Sequence, residues 1–457
     1  MDQKSLNAAL EKVRSGLIPG AIYSDPYVFA KERESLFSRS WNFLAHESEI
    51  PNKNDYVVRN VLEDSFIVAR GADSQVRVFL NICRHRGGQV CRNESGNTRR
   101  FVCPYHSWAF KTDGSLAGVP YHEEAYGGEE VLPKKDYGLY PAPRTEIIYG
   151  LVFVSLDPNA PPLEKELGEF KQYLQFYLGG EGNAEFRGPQ RWRFKANWKI
   201  GAENFSGDTY HTPHTHASVG AIQLVSSAAT SDRKDGVTFY TGLGNGATFR
   251  LGAGDFQTRM MSVGYPEEQI ARMRKVLPTE IFNMIDQEGL IPSASTFFPN
   301  VSFLSLWAKI DDSGTLAPFT TIRLFVPISE TETEMYSWFV VDAGASDDFK
   351  QKSYKAYVMC FGTSGMFEQD DMDAWVTLTR TTRGYMSGAT TLHSQMGLKP
   401  DGSALREPMT EFSGPGTGYS GFNEHNQRAW LKTWADHLAM APPIPPIPAH
   451  QDEPARG

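Results

Sequence analysis

The chain has 457 residues, 40% apolar and 22% charged, with a formal net charge of -9. That composition suits a soluble globular protein with enough material for two or three domains, and the acidic balance argues against nucleic acid or an anionic membrane as partner, since both need a basic face. The opening MDQKSLNAAL carries no apolar targeting segment, and the apolar runs are strand-length, far short of the roughly 20 residues of a membrane span. A cytoplasmic protein is therefore expected.

Residues 1–40 predict a helical segment that packs with the larger, C-terminal domain: Ala8, Leu10, Val13 and Leu17 recur at helical spacing, and Phe29–Phe37 forms a second amphipathic stretch. From Trp41 the texture changes. Short β-branched and aromatic runs (Tyr56–Val61, Ser65–Arg70, Val76–Ile82, Arg100–Cys103, Trp108–Lys111, Leu151–Ser155) alternate with turn residues such as Asp113-Gly114, which predicts a small antiparallel β domain over 41–158. Pro158–Pro162 reads as a linker. Within 159–441, helices are expected over Leu163–Leu178, Glu267–Lys275, Asp347–Phe361 and Glu424–Met440. The runs Phe319–Val326 and Glu334–Val341 read as neighbouring strands. The mixed order predicts an α+β fold, with a long antiparallel sheet flanked by helices. The Pro-rich tail, 442–457, is expected to be an extended arm.

The only cysteines are Cys83, Cys91, Cys103 and Cys360, too few for a disulfide scaffold. Three of them fall close together beside two histidines, in the order Cys83-x-His85, seventeen residues, Cys103-x-x-His106. A Rieske [2Fe–2S] centre needs two Cys on one iron and two His on the other, and two short loops giving one ligand of each kind supply that. Zinc is the competing metal, but a finger pairs Cys with Cys and His with His. Cys91 and Cys360 read as small buried hydrophobes.

CRHRGGQVC followed by CPYHSW resembles the Rieske motif of aromatic-ring-hydroxylating oxygenase large subunits, including Arg84, Arg86, Gly87, Pro104, Tyr105 and Trp108. Ser107 departs from it, standing where the family usually has Gly. If that position needs φ > 0, Ser costs about 1 kcal/mol. Pure electron carriers of the Rieske class add two cysteines that form a disulfide beside the cluster. Tyr105 stands where one would be, which weakens that reading.

A second constellation is Glu203–His216, ENFSGDTYHTPHTH. A non-haem Fe(II) oxygenase site takes two His and one carboxylate. Asp208 and His211 are i,i+3 and share a helix face. His211 and His216 would point about 140° apart on a continuous helix and would not converge on one metal. Pro213 between them is expected to break the helix and swing His216 back. The family pattern Asn-x3-Asp-x2-His-x4-His falls on Asn204, Asp208, His211 and His216. The resemblance then makes His211 and His216 ligands of a mononuclear Fe(II). It makes Asp208 the carboxylate connecting iron and cluster, places Asn204 near the iron, and leaves His214 outside the pattern. In the family an Asp-Asp pair following Phe-Gly-x-x-Gly provides the third ligand. Here FGTSGMFEQDDMDAW gives Asp371, with Asp370 as the competing assignment.

QRWRFKANWKIGAENFSGDTYHTPHTH and NEHNQRAWLKTWADHL look like the naphthalene/biphenyl branch of that family. The resemblance implies a small all-β Rieske domain and a helix-grip catalytic domain. It implies O2-dependent cis-dihydroxylation of a bicyclic or polycyclic arene, with electrons from NAD(P)H through a flavin reductase and a ferredoxin. It also implies an α3β3 assembly with a small β subunit, in which His106 of one chain meets Asp208 of the next. The alternatives are a ring monooxygenase such as a salicylate hydroxylase, a dioxygenase of an aromatic acid, or a Rieske electron carrier without oxygenase activity. Phe205, Leu304, Phe361 and Phe367 are the candidate pocket walls, with Thr212 and Ser206 as further candidates. None of these is Arg or Lys, which favours a neutral arene over an aromatic acid.

Overall fold

The computed structural model describes residues 1–180, 182–225, 236–409, 412 and 414–440. The expected tail arm, 442–457, lies outside the described residues.

Contacts divide the described chain into two units, one made of residues 1–32 and 162–440 and the other of residues 33–161. The first helix, α1 (Gln3–Arg14), buries Leu6, Ala9, Leu10 and Val13 on one face, and Asp2 caps it by accepting the Ser5 N–H at 2.8 Å. Further along, Glu32 ties the N-terminal segment to the larger unit. Its fully buried carboxylate accepts Trp198 Nε1 at 3.0 Å, Trp434 Nε1 at 2.9 Å and Lys199 Nζ at 2.7 Å, a buried charge paired and bonded on both oxygens.

The unit of residues 33–161 holds three small antiparallel sheets. One orders 76–80, 64–70, 55–61 and 95–97; one orders 100–102, 109–111 and 116–118; the third orders 144–148, 151–155 and 42–46. Alternation carries the packing: in Asp55–Val61, Tyr56, Val57, Val61 and the side chain of Arg59 are buried. Two apolar clusters result, one around Phe79, Phe101, Trp108 and Phe110, the other around Leu44, Val57, Phe66 and Val152.

The larger unit is built on an eight-stranded antiparallel sheet. Its strands are β1 (Ala184–Phe194), β2 (Val237–Gly242), β3 (Asn245–Leu251), β4 (Leu290–Phe297), β5 (Val301–Lys309), β6 (Leu316–Ser329), β7 (Glu332–Asp342) and β8 (Thr417–Ser420), in the order β1-β7-β6-β5-β4-β3-β2-β8. The two runs expected to be neighbours are β6 and β7, paired with Ile322 opposite Trp338. The helices that matter below are α2 (Phe170–Tyr177), α3 (Trp198–Gly207), α4 (Thr212–Thr215), α5 (Asp347–Phe361), α6 (Met366–Thr382) and α7 (His425–Ala439). The helix expected over Leu163–Leu178 is two, because Gly168 takes φ +50 between Leu163–Leu167 and α2. α3 packs on β3, β4, β5 and β6, and α5 on β5, β6 and β7, so a helical layer lies along the sheet. Among the described residues no helix is long and apolar enough to cross a membrane.

Candidate metal centres and substrate pocket

Two loops of the small unit present Cys83, His85, Cys103 and His106. The loops share one hydrogen-bond plan. The Cys83 N–H donates to Gly88 O at 2.8 Å and the Gly87 N–H to Cys83 O at 3.0 Å; the Cys103 N–H donates to Trp108 O and the Ser107 N–H to Cys103 O, both at 2.9 Å. Gly87 and Ser107 therefore occupy equivalent places, and both adopt positive φ, +73 and +60. Ser107 does stand at a left-handed position, as the absence of the usual Gly there led one to ask.

The side chains converge. The two thiols are buried and close enough to share a hydrogen bond. The His85 and His106 rings sit 4.4 Å apart, edge to face. Trp108 stacks on His85 at 5.2 Å, and Tyr126 Oη meets His85 Nε2 at 3.3 Å. His85 Nδ1 is buried with no hydrogen-bond partner among the described residues. Such an orphan is costly unless something else occupies its lone pair. Two thiols, two imidazoles and that orphan nitrogen fit a Rieske cluster. Cys360 is buried on α5 of the larger unit, and Cys91 is buried in the same apolar cluster as Cys83 and Cys103, with its Sγ 3.6 Å from Asn93 O.

The second centre lies in the larger unit. α3 starts where Asn197 caps the Lys199 N–H at 3.1 Å, and it ends at Gly207. A Cβ at Gly207 would strike Asn426 of α7, so the close approach requires glycine there. Asp208 follows outside the helix. It reaches His211 through a turn, not along a helix face: Oδ1 accepts the N–H groups of Tyr210 at 3.0 Å and His211 at 3.1 Å, and Oδ2 lies 3.4 Å from His211 Nδ1. The expectation about Pro213 is corrected as well. It sits in the first turn of α4, where proline is tolerated, and the chain breaks earlier, at Asp208. His211 and His216 flank that short helix, with ring centroids 5.2 Å apart.

α6 supplies the carboxylate. The Phe-Gly-x-x-Gly stretch makes the turn from α5 into α6, and a Cβ at Gly365 would strike the Cys360 carbonyl. Asp371 Oδ1 then lies 3.5 Å from His211 Nε2 and 3.3 Å from His216 Nε2. One donor atom each from His211, His216 and Asp371 fall within 4.8 Å of one another, a group able to hold a metal ion. Asp370 points elsewhere, its Oδ2 3.3 Å from His216 Nδ1 and 3.1 Å from Ser218 Oγ. Each imidazole is thus gripped at Nδ1 by one carboxylate and turns Nε2 toward Asp371. Asn204 Nδ2 lies 3.4 Å from Asp208 Oδ2 and 3.3 Å from His211 Nδ1. Burial alone would lower the His211 pKa, but Asp208 and Asp371 raise it to about 9. Burial would likewise raise Asp208, yet His211 holds it below the usual carboxylate range. Carboxylates on both sides of the imidazole mark a place that favours positive charge, which a bound metal ion would supply. Two imidazoles, one carboxylate and open positions are the donor set of a mononuclear Fe(II) site.

These residues border an open cavity whose empty space, part of it continuous with solvent, is about 790 Å3. Asn204, Phe205, Asp208, His211, Thr212, His216, Phe361, Phe367 and Asp371 form its helix wall, and Leu304 lies on the strand side. All four apolar candidates line it. Phe361 stacks on Phe367 at 5.3 Å, and Phe367 on His216 at 4.7 Å. Ser206 is buried and does not line the cavity; His214 does not line it either. Sequence reasoning missed the sheet wall, where Thr248, Phe249, Arg250, Ser293, Ala294 and Leu306 join Leu304. The placed candidates carry no Arg or Lys, but the sheet wall adds Arg250, which removes that ground for favouring a neutral arene. The only signal of Arg250 was a cation inside a strand-like run, ATFRL, and the shift in register at Thr248 hides which side chains share a face.

The chain matches known families over both units. Residues 40–135 match the Rieske [2Fe-2S] domain, and residues 181–440 match the ring hydroxylating alpha subunit (catalytic domain). It is 33% identical over 454 residues to the N,N-dimethyl phenylurea N-demethylase subunit alpha of Sphingobium sp. (strain YBL2), covering 96% of this chain and 95% of that one. It is 33% identical to the large oxygenase component of the naphthalene 1,2-dioxygenase system of Pseudomonas aeruginosa, covering 92% and 91%. Among solved structures, naphthalene 1,2-dioxygenase from Rhodococcus sp. bound to indole superposes with a TM-score of 0.86 at 39% identity, covering 95% of this chain and 97% of that chain.

Proposed function

Because this chain belongs to the ring-hydroxylating oxygenase alpha-subunit family, with a Rieske domain followed by the family's catalytic domain, we propose that it cis-dihydroxylates a bicyclic or polycyclic aromatic hydrocarbon. The family's centres are a [2Fe–2S] cluster and a mononuclear iron. We assign the first to Cys83, His85, Cys103 and His106, and the second to His211, His216 and Asp371. The cluster supplies electrons one at a time, and the iron, when bound, activates dioxygen.

The chain's own residues set up that chemistry. Asp208 and Asp370 orient the two ligand imidazoles through Nδ1, which fixes their tautomers with Nε2 directed at Asp371. Asn204 lies against Asp208 and His211 beside the same cavity. Phe205, Phe361 and Phe367 present apolar faces that hold an aromatic ring and exclude water from its oxidation. Electrons are supplied by a ferredoxin fed from NAD(P)H through a flavin reductase, and a small β subunit completes an α3β3 assembly.

The observation that carries the reading is the convergence of His211, His216 and Asp371 on the wall of an apolar cavity. Product analysis under labelled O2, with electron transfer reconstituted, tests it: two labelled oxygens on the ring are expected. The likeness to an N-demethylase alpha subunit supports a second reading, oxidative demethylation, in which a single labelled oxygen enters the products.

A further inference from the structure

We infer that Asn426, on α7 and outside the cavity lining, is a positioning residue for the mononuclear metal site: its side-chain amide stabilises the bend that brings Asp208 to His211. The inference rests on the proposed function, which makes His211 a metal ligand and Asp208 the group that orients it.

The bend has a competitor. If α3 continued past Gly207, the Tyr210 N–H would bond to Ser206 O and the His211 N–H to Gly207 O. Both N–H groups donate instead to Asp208 Oδ1, at 3.0 and 3.1 Å. A side chain has displaced two rungs of a helix, and two carbonyls are left to be answered. Gly207 O accepts the Thr209 N–H at 3.0 Å. Ser206 O accepts Asn426 Nδ2 at 2.8 Å. Ser206 is fully buried, so without that amide the way to bond its carbonyl is to return the Tyr210 N–H to it. That return takes one of the two bonds from Asp208 Oδ1 and draws the carboxylate off His211.

The surroundings of the amide support that role. Asn426 is 1% exposed, and its Nδ2 also donates to Phe239 O of β2 at 3.0 Å and lies 3.5 Å from Ala247 O of β3. The two hydrogens of one amide thus join the end of α3 to the sheet, one residue before Thr248 of the cavity wall. Glycines make room for it on two sides. A Cβ at Gly207 would lie 2.5 Å from Asn426 Cβ, and one at Gly246 would lie 2.7 Å from Asn426 Nδ2. Neither glycine has a positive φ, so both serve space and not backbone conformation. A residue that only filled this space would need no donors, and that difference can be tested.

The holoenzyme is titrated with a graded chelator, and the iron kept in the mononuclear site is counted against the visible spectrum of the cluster. Asn426→Leu, which keeps the branch at Cγ and removes both donors, is expected to weaken that iron about 10–100-fold, the usual effect of disturbing a group that orients a ligand. Asn426→Ser, which keeps one donor, is expected to fall between Asn426→Leu and wild type, and it decides alone if Asn426→Leu does not fold. Leu438→Ala, which opens a hole further along α7, controls for lost stability: it is expected to lower the melting temperature and to hold iron as wild type does. A second readout needs no metal. In an Asp208→Ala background the Tyr210 N–H is free to return to Ser206 O, so Asn426→Leu or Asn426→Ser is expected to lower stability less there than in wild type. Iron affinity within about twofold of wild type in the Asn426 variants, equal iron loss in Leu438→Ala, or additive stabilities in the cycle overturns the inference. A wild type that holds no iron beyond the cluster sinks the proposed function instead, and the stability cycle still judges the bend.

Discussion

His216 stands between two adjacent aspartates, its Nδ1 3.3 Å from Asp370 Oδ2 and its Nε2 3.3 Å from Asp371 Oδ1. Successive residues on a helix diverge by about 100°, so two neighbours on α6 reach opposite nitrogens of one ring. The two carboxylates therefore have different tasks. Asp371→Asn is expected to lose the mononuclear iron. Asp370→Asn is expected to keep it with affinity weakened about 10–100-fold, the usual cost of removing a group that orients a ligand. Iron retained against a graded chelator, with the visible spectrum of the cluster as internal reference, measures both. Equal loss in the two variants would show that the division is wrong.

The left-handed backbone at Ser107 predicts a gain from glycine. Ser107→Gly should relieve about 1 kcal/mol and raise by a few degrees the temperature at which the cluster's visible circular dichroism is lost. Gly87→Ala is the opposite case. A Cβ there would meet nothing nearer than Ile82 Cδ1 at 3.7 Å, so strain alone, of similar size, should lower that temperature. A glycine variant no more stable than wild type would contradict the account.

His46 predicts a dependence on pH. Its Nδ1 accepts the Ser48 N–H at 3.1 Å while Nε2 meets Tyr149 O at 3.1 Å, so the neutral ring is bonded on both sides. Burial lowers its pKa from 6.5 to about 4. Between these values the unfolded chain takes up a proton that the folded chain refuses. This contribution to stability is complete above pH 6.5 and is lost as pH falls toward 4, amounting to at most about 3 kcal/mol. Thermal midpoints between pH 7 and 5 should fall more steeply for wild type than for His46→Gln; parallel slopes would remove His46 as the cause.

Arg323 and Glu368 form a fully buried pair, with Arg323 Nη2 donating to Glu368 Oε2. Glu368 lies one helical turn before Asp371. Arg323 Nε and Nη1 and Glu368 Oε1 have no hydrogen-bond partner among the described residues, so the pair is only partly satisfied. Glu368→Ala should cost about 3–5 kcal/mol by leaving a bare cation, whereas Arg323→Met with Glu368→Leu should come close to neutral. Denaturant titration of the two proteins gives the comparison, and a double variant as unstable as the single one would refute it.

Much of the site could be read from the chain because its chemistry is local. Cys83-x-His85 and Cys103-x-x-His106 lie on two short loops, and Asp208 to His216 on one bend. α5 was legible to the residue, Asp347–Phe361, because Ser346 caps it and Gly362 ends it. What could not be read depends on partners far along the chain. β3 and β4 are laced with Thr, Ser and Arg, which pass for loop residues until cross-strand pairing buries them. Arg250 joined the site only because β3 pairs with β4 and brings Ser293 beside it. The division between Asp370 and Asp371 needed the pitch of α6 and the position of His216 together.

The split between helix wall and sheet wall has a practical reach. The candidate metal-binding residues sit on the bend after α3, at the end of α4 and in the second turn of α6, close to Gly207 and Gly365, where a Cβ would clash. Residues 248, 250, 293, 304 and 306 hang from a hydrogen-bonded scaffold that persists whatever side chain each carries. What the enzyme accepts can therefore drift, or be redesigned, one strand position at a time while its oxidising power stays put.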